Sequence, residues 1–238
     1  MDFYNINQPA QLIEGNPYVG RGLVAGLSQD GKHAVAAYFI MGRSANSRNR
    51  VFEEKGGDVY TKPFDPEKVE DPSLIIYAAI RETPTGLIVT NGDQTDTVFE
   101  GLSAGKTFSE ALEARSFEPD APNFTPRISA YLSFENGFSY QMSILKSIDK
   151  SGTAPARYTF SYPTKPGLGH FLHTYVTDGN PLPTFQGEPE RMAIPNDIDA
   201  LTNELWNALD KDNRISLYVR SIDLATGEKQ NRLINQNQ

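Results

Sequence analysis

The spacing of apolar and polar positions changes period several times along the chain. Residues 18–27 and 32–41 are rich in Val, Ala, Tyr and Ile, with Ser28-Gln29-Asp30-Gly31 between them. Such runs around an Asp-Gly turn predict a β-hairpin. An arginine-rich loop follows at 43–50. Residues 55–72 read as loop with one short strand near Val59-Tyr60, because Gly56-Gly57 and two Asp-Pro pairs interrupt them. Residues 73–81 and 86–90 predict a second hairpin, turning at Thr83-Pro84-Thr85-Gly86. Then apolar residues recur at three and four over 95–102 and again over 108–117, which predicts two helices. Thr107, with Glu110 three residues on, has the form of a capping box. Strand composition returns at 127–134, 138–145, 158–162 and 169–177. A proline-rich loop runs to Pro195. Asn196 is placed to cap a helix over 197–209, whose Ile198, Leu201, Leu205, Trp206 and Leu209 form one apolar stripe. Residues 215–224 and 229–234 predict a closing hairpin around Thr226-Gly227. Residues 1–17, polar with isolated apolar positions, read as an N-terminal extension leading into the first strand.

Hairpins, two helices, hairpins, a helix and a hairpin do not make repeated βαβ units. The order predicts an α+β fold of mostly antiparallel sheet with helices packed outside. No linker separates two cores in 238 residues, so a single domain over 1–238 is expected.

Charge narrows the partners. Twenty-two basic against thirty acidic side chains leave a net charge of −8, which repels a phosphate backbone and argues against nucleic acid. The longest apolar run, 74–80, is far short of the ~20 residues of a membrane span. No basic segment precedes Leu12-Ile13, so no signal peptide is expected. There is no cysteine, which excludes thiol catalysis and suits a cytosolic protein. Three histidines leave little material for a metal site. Of these, His170 and His173 stand three apart on an expected strand and point to opposite faces.

Several motifs fall short. Gly101-Leu102-Ser103-Ala104-Gly105-Lys106-Thr107 has one residue too few for a P-loop and joins two helices, so it reads as a C-cap glycine followed by an N-cap threonine. The run Asp210 to Arg214 lacks the glycine of a calcium loop. Three clusters remain open. Arg43, Arg48 and Arg50, among small polar residues, form either a solvated basic loop or an anion site. Asn91-Gly92-Asp93-Gln94-Thr95-Asp96-Thr97 is either simple capping or an oxygen-binding helix start. Glu118 or Asp120 is either surface acid or a base.

In order along the chain, Tyr18-Val19-Gly20-Arg21, Tyr38, Arg43-Ser44, Arg48, Tyr77-Ala78-Ala79-Ile80-Arg81, Asn91 to Thr97, Phe117-Glu118 and Thr125-Pro126-Arg127-Ile128 resemble the archaeal-type IMP cyclohydrolase family. The similarity covers about residues 18–135 well and the C-terminal third loosely. It implies a four-layer αββα sandwich of the kind seen in N-terminal-nucleophile hydrolases, without their nucleophile, since the chain begins Met1-Asp2. It implies closure of the purine ring of 5-formamidoimidazole-4-carboxamide ribotide to IMP, with a small ribonucleotide as partner and no metal or other cofactor. A homo-oligomer is compatible with it. By resemblance, Arg48, Tyr77 and Glu118 fall on the catalytic positions, with Arg50 competing for that of Arg48. Glu118 is expected to manage protons, Tyr77 to donate to the formyl oxygen and Arg48 to hold the carboxamide or stabilise charge. Arg21, Tyr38, Arg43, Asn91, Asp96 and Arg127 are expected to bind substrate, an arginine among them taking the 5′-phosphate. A purine-nucleotide-binding module and an amide hydrolase are the alternatives. The proline usual in the family's arginine loop is missing between Ser44 and Arg48.

Overall fold

The structure, a computed structural model, describes residues 4–69 and 76–237. It comprises α1 (Pro9–Ile13), β1 (Arg21–Leu27), β2 (His33–Met41), α2 (Ala45–Arg48), β3 (Val51–Lys55), β4 (Asp58–Lys62), β5 (Tyr77–Thr83), β6 (Gly86–Thr90), α3 (Gln94–Ser103), α4 (Phe108–Leu112), β7 (Arg127–Ser133), β8 (Ser139–Ser147), β9 (Pro155–Tyr162), β10 (Leu168–His173), β11 (Glu190–Ala193), α5 (Ile198–Ala208), β12 (Arg214–Asp223) and β13 (Lys229–Asn235). Among the described residues no helix is long and apolar enough to cross a membrane.

Two antiparallel sheets face each other. One has the order β11-β10-β1-β2-β12-β13, the other β3-β4-β5-β6-β7-β8-β9. The pattern along β2 explains why its sequence is apolar throughout. Ala34, Ala36, Tyr38 and Ile40 face the second sheet, against Ile80, Val89, Ile128 and Met142. Val35, Ala37, Phe39 and Met41 face outward and meet Ile198, Leu201 and Leu205 of α5. A strand covered on both faces has no solvent side to alternate with. Across the other sheet, Val98 of α3 and Phe108 and Leu112 of α4 cover Ile88 and Leu145. The layers are therefore helix, sheet, sheet, helix, the α+β sandwich expected.

Five details depart from the sequence reading. Residues 51–62 form a hairpin, β3 with β4, turning through Gly56-Gly57, both at positive φ. Sequence pattern hid β3 because it is an edge strand with only Phe52 buried. The proline-rich loop contains β11, four residues long, held on β10 with Met192 inward. Residues 1–17 carry α1. Its Ile13 is fully buried in the outer core with α5, and Ala10 N donates to Glu204. The cap of α5 is Asp197, which accepts from Asp199 N, while Asn196 accepts from Asp30 N instead. The second of the paired helices, α4, stops at Leu112, short of Phe117. Its capping box is formed as the sequence suggests, Thr107 accepting from Glu110 N and Glu110 from Thr107 N. The start of the expected 73–81 strand lies outside the described residues.

His170 and His173 take separate partners. His170 bonds the Tyr140 hydroxyl at 2.7 Å and stacks on Tyr162. His173 bonds Tyr175 O and Glu190.

Candidate active site

Antiparallel pairing brings one set of chain ends together. Arg21 opens β1 opposite Ile40 near the end of β2, and Gly22 pairs with His173 at the end of β10. In the facing sheet Tyr77 opens β5, Thr90 ends β6 and Arg127 opens β7. The loops leaving these ends surround a cleft of about 330 Å³ lined by Arg21, Arg43, Arg50, Asn91, Glu118 and Tyr175, among others. That is within the range of small-molecule sites.

Below the cleft, Tyr38 of one sheet and Tyr77 of the other meet hydroxyl to hydroxyl at 2.9 Å. Burial first of all pushes both phenols above their ordinary values, so both are neutral donors at physiological pH. Tyr77 senses Arg50, Arg21 and Glu118 electrostatically, which places these four groups around one point.

Arg50 is 6% exposed and lines the cleft, yet among the described residues no carboxylate pairs with it, and its Nε has no hydrogen-bond partner. Burial, then Arg21, push its guanidinium below its ordinary value. Arg21 is likewise without a carboxylate within ion-pair distance among the described residues. A buried guanidinium without a counter-charge at ion-pair distance is costly, and Arg50 with the half-buried Arg21 beside it makes the cleft a receptor for negative charge. Gly20 lets Arg21 in: it sits at φ +79°, and a Cβ there would lie 2.2 Å from Thr174 Oγ1 and 2.6 Å from the Tyr175 ring.

Glu118 is held between these cations and Arg127, whose Nη1 is 3.7 Å from Glu118 Oε1. Burial raises its carboxyl above the ordinary value; Arg127 and then Arg21 oppose this without cancelling it. Arg127 is divided, donating to Asp93 at 2.6 Å and to Gln94 at 2.7 Å. Asp93 is taken up in turn by Arg115. Although burial works upward on Asp93, its two arginines win and hold its carboxyl low.

The other sequence-nominated residues divide by place. Arg48 is turned away from the cleft: its Nε donates to Gly42 O at 3.1 Å and its Nη2 to Asn213 at 3.0 Å. It ends the short helix α2, whereas Arg50, two residues on and just ahead of β3, is buried. Arg50, the competitor, therefore occupies the cleft where Arg48 is expected. Arg43 lines the mouth, bonded to Asp178 and Gly179 O, over the ring of Tyr18. Asn91 lines the cleft too, but its amide is committed, donating to Pro126 O and accepting from Ile128 N and Gln94. It fixes the junction from which α3 starts. Asp96 lies on α3, outside the cleft lining, where it pairs with Arg81 at 2.5 Å.

Sequence reasoning passed over Tyr18, Asn123 and Tyr175 in the lining. Tyr175 lies in the C-terminal third and stacks on Tyr18 at 5.9 Å. Only the register of β10 against β1 brings it here, and nothing in the pattern around it marks it.

A family model described as IMP cyclohydrolase-like protein matches residues 18–228. The chain is 36% identical over 116 residues to the IMP cyclohydrolase of Methanopyrus kandleri, covering 47% of this chain and 57% of that protein. It is 29% identical over 162 residues to that of Methanococcus aeolicus, covering 66% and 74%. With that of Methanothrix thermoacetophila it shares 32% over 120 residues, covering 49% and 58%. The chain thus matches less than two thirds of the length of the first and third of these relatives. The family match reaches well into the C-terminal third, where Tyr175 and Leu182 complete the cleft, and the chain belongs to the IMP cyclohydrolase-like protein family.

Proposed function

We propose that the protein closes the purine ring of 5-formamidoimidazole-4-carboxamide ribotide to IMP. The reaction forms one bond, from the carboxamide nitrogen to the formyl carbon. That nitrogen gives up one proton, and the formyl oxygen gains one and becomes a hydroxyl. The hydroxyl then leaves as water while the former formamide nitrogen loses its proton, so no redox partner is needed. Both reacting groups belong to one molecule. Catalysis is therefore a matter of holding a rotamer, moving protons and stabilising charge on oxygen.

Glu118 takes the carboxamide proton, for which a carboxyl raised by burial is better matched than an ordinary one. Tyr77 donates to the formyl oxygen. Arg50, in the place expected of Arg48, and Arg21 stabilise the charge that gathers on oxygen. Arg43, with Ser44 and Ser47 beside it, takes the phosphate at the mouth. Arg127 orients Glu118, and Tyr38 orients Tyr77. The reading is carried by one observation above all: Arg21 and Arg50, neither with a carboxylate at ion-pair distance among the described residues, share a cleft with the half-buried Glu118, above the neutral phenol of Tyr77, in a chain of this family.

The test is turnover. Purified chain is mixed with the formamido ribotide and IMP is followed chromatographically against the spontaneous rate. Acceleration is expected, and Glu118→Gln and Tyr77→Phe should each remove most of it. Tight IMP binding with no acceleration would overturn the catalytic part and leave a nucleotide-binding module. Activity that is indifferent to both substitutions would overturn the roles.

A further inference from the structure

One acid in the cleft has no part in the chemistry above. Asp120 lines the same cavity as Arg21, Arg50 and Glu118 but pairs with no arginine or lysine among the described residues. Its partners are neutral. Thr125 N donates to Oδ1 at 2.6 Å, and the Thr125 hydroxyl bonds Oδ2. The Thr125 hydroxyl also lies 2.5 Å from that of Tyr175. Proton order in this chain is determined. A carboxylate only accepts, so Thr125 gives its single proton to Asp120, and Tyr175 then donates to Thr125. Each carboxylate oxygen keeps a lone pair unused.

Position gives the acceptor a meaning. Tyr175 touches both ends of the site: its ring stacks on Tyr18, which lies under Arg43 at the mouth, and its hydroxyl reaches the Asp120 clamp. A free acceptor carrying negative charge repels a phosphate and the oxygen on which charge gathers. It matches the ribose, whose neighbouring hydroxyls are paired neutral donors; the carboxamide, the other such pair, belongs to Glu118 in the reaction above. We propose that Asp120 reads the ribose, accepting hydrogen bonds from its neighbouring hydroxyls, with Thr125 and Tyr175 as positioning residues that hold the carboxylate. This rests on the ribotide reading above.

The experiment is calorimetric titration with IMP and with its 2′-deoxy counterpart. The wild-type protein should bind the ribonucleotide about 10- to 100-fold tighter, the span of one hydrogen bond to a charged group. Asp120→Asn should cut that preference to within about threefold, weakening the ribonucleotide more than the deoxy form, which has only its 3′-hydroxyl to offer the carboxylate. Tyr175→Phe should fall between the two. In turnover, Asp120→Asn should raise KM and leave kcat near wild type, which separates a binding role from that of a second base. Equal binding of the two nucleotides by the wild type overturns the proposal and spares the ribotide reading, and that comparison needs no variant to fold. A preference that survives Asp120→Asn, or a loss confined to kcat, also overturns it. Failure to bind either nucleotide overturns both.

Discussion

The hydroxyls of Tyr38 and Tyr77 meet at 2.9 Å across the two sheets, one from each, under the floor of the cleft. The pair ties the position of the proposed proton donor to the packing of the whole sandwich. Tyr77→Phe should leave the buried Tyr38 hydroxyl without this partner and cost about 1–3 kcal/mol of stability. It should also slow cyclisation by about 100-fold. Tyr38→Phe should destabilise comparably and slow the reaction far less. Urea unfolding alongside turnover separates the two effects, and equal losses of rate would deny Tyr77 its role.

Arg50 and Arg48 should behave oppositely. Replacing a buried, unpaired cation by an apolar side chain of similar length relieves its desolvation, so Arg50→Met should stabilise the unliganded protein by about 1–3 kcal/mol. It should also abolish the stabilisation that saturating IMP confers, about 2.7 kcal/mol at a hundredfold excess over Kd. Arg48→Ala should leave KM and kcat within a few-fold of wild type. Thermal unfolding with and without IMP reads both, and loss of the IMP effect in Arg48→Ala alone would return the role to Arg48.

Glu118 carries a pH signature. Its carboxyl is raised on folding, so between the ordinary value of 4.5 and the raised one the folded state holds more proton than the unfolded chain. Stability relative to Glu118→Gln should therefore fall as pH rises from about 4.5 and level off above the raised value. The difference between urea midpoints of the two proteins from pH 4 to 8 measures it. A difference that grows with pH would mean that Arg127 and Arg21 outweigh burial.

Gly92 stands where the acid meets its arginine. A methyl group there would lie 2.7 Å from Arg127 Nη1, 2.6 Å from Gln94 Oε1 and 3.2 Å from Glu118 Oε1. Gly92→Ala should push these side chains apart, lowering kcat by about 10- to 100-fold, as small misplacements of reacting groups do, at a modest cost in Tm. Wild-type kcat in this variant would show that the Arg127–Glu118 contact is dispensable.

Chelation should not matter. His170 and His173 are committed to Tyr140, Tyr175 and Glu190, and the chain has no cysteine. Turnover after treatment with EDTA should equal the untreated rate; loss restored by one divalent ion would contradict this.

Much was legible in the sequence because it is local. The Asp30-Gly31 turn, the Thr107–Glu110 box and the helical stripe of Ile198, Leu201 and Leu205 are written within a few residues each, so period and capping chemistry declare them. The ordered motifs from Tyr18 to Ile128 were likewise enough to point to the family. Tertiary structure decided what depends on distant chain. The edge strand β3 and the four-residue β11 exist because a neighbouring strand pairs with them, not because their own residues alternate. Arg48 and Arg50 stand in one basic loop and are equivalent by composition. They separate because Asn213 and Gly42 hold the first, while the second, immediately before β3, is buried in the cleft wall. Tyr175 reaches Thr125 across fifty residues because β10 is registered against β1. Whether Glu118 is raised or lowered is the balance of burial against Arg127, Arg21 and Arg50, three charges from three separate segments. That balance has no local sequence signature, because desolvation and Coulomb energy depend on the folded surroundings, not on neighbours along the chain.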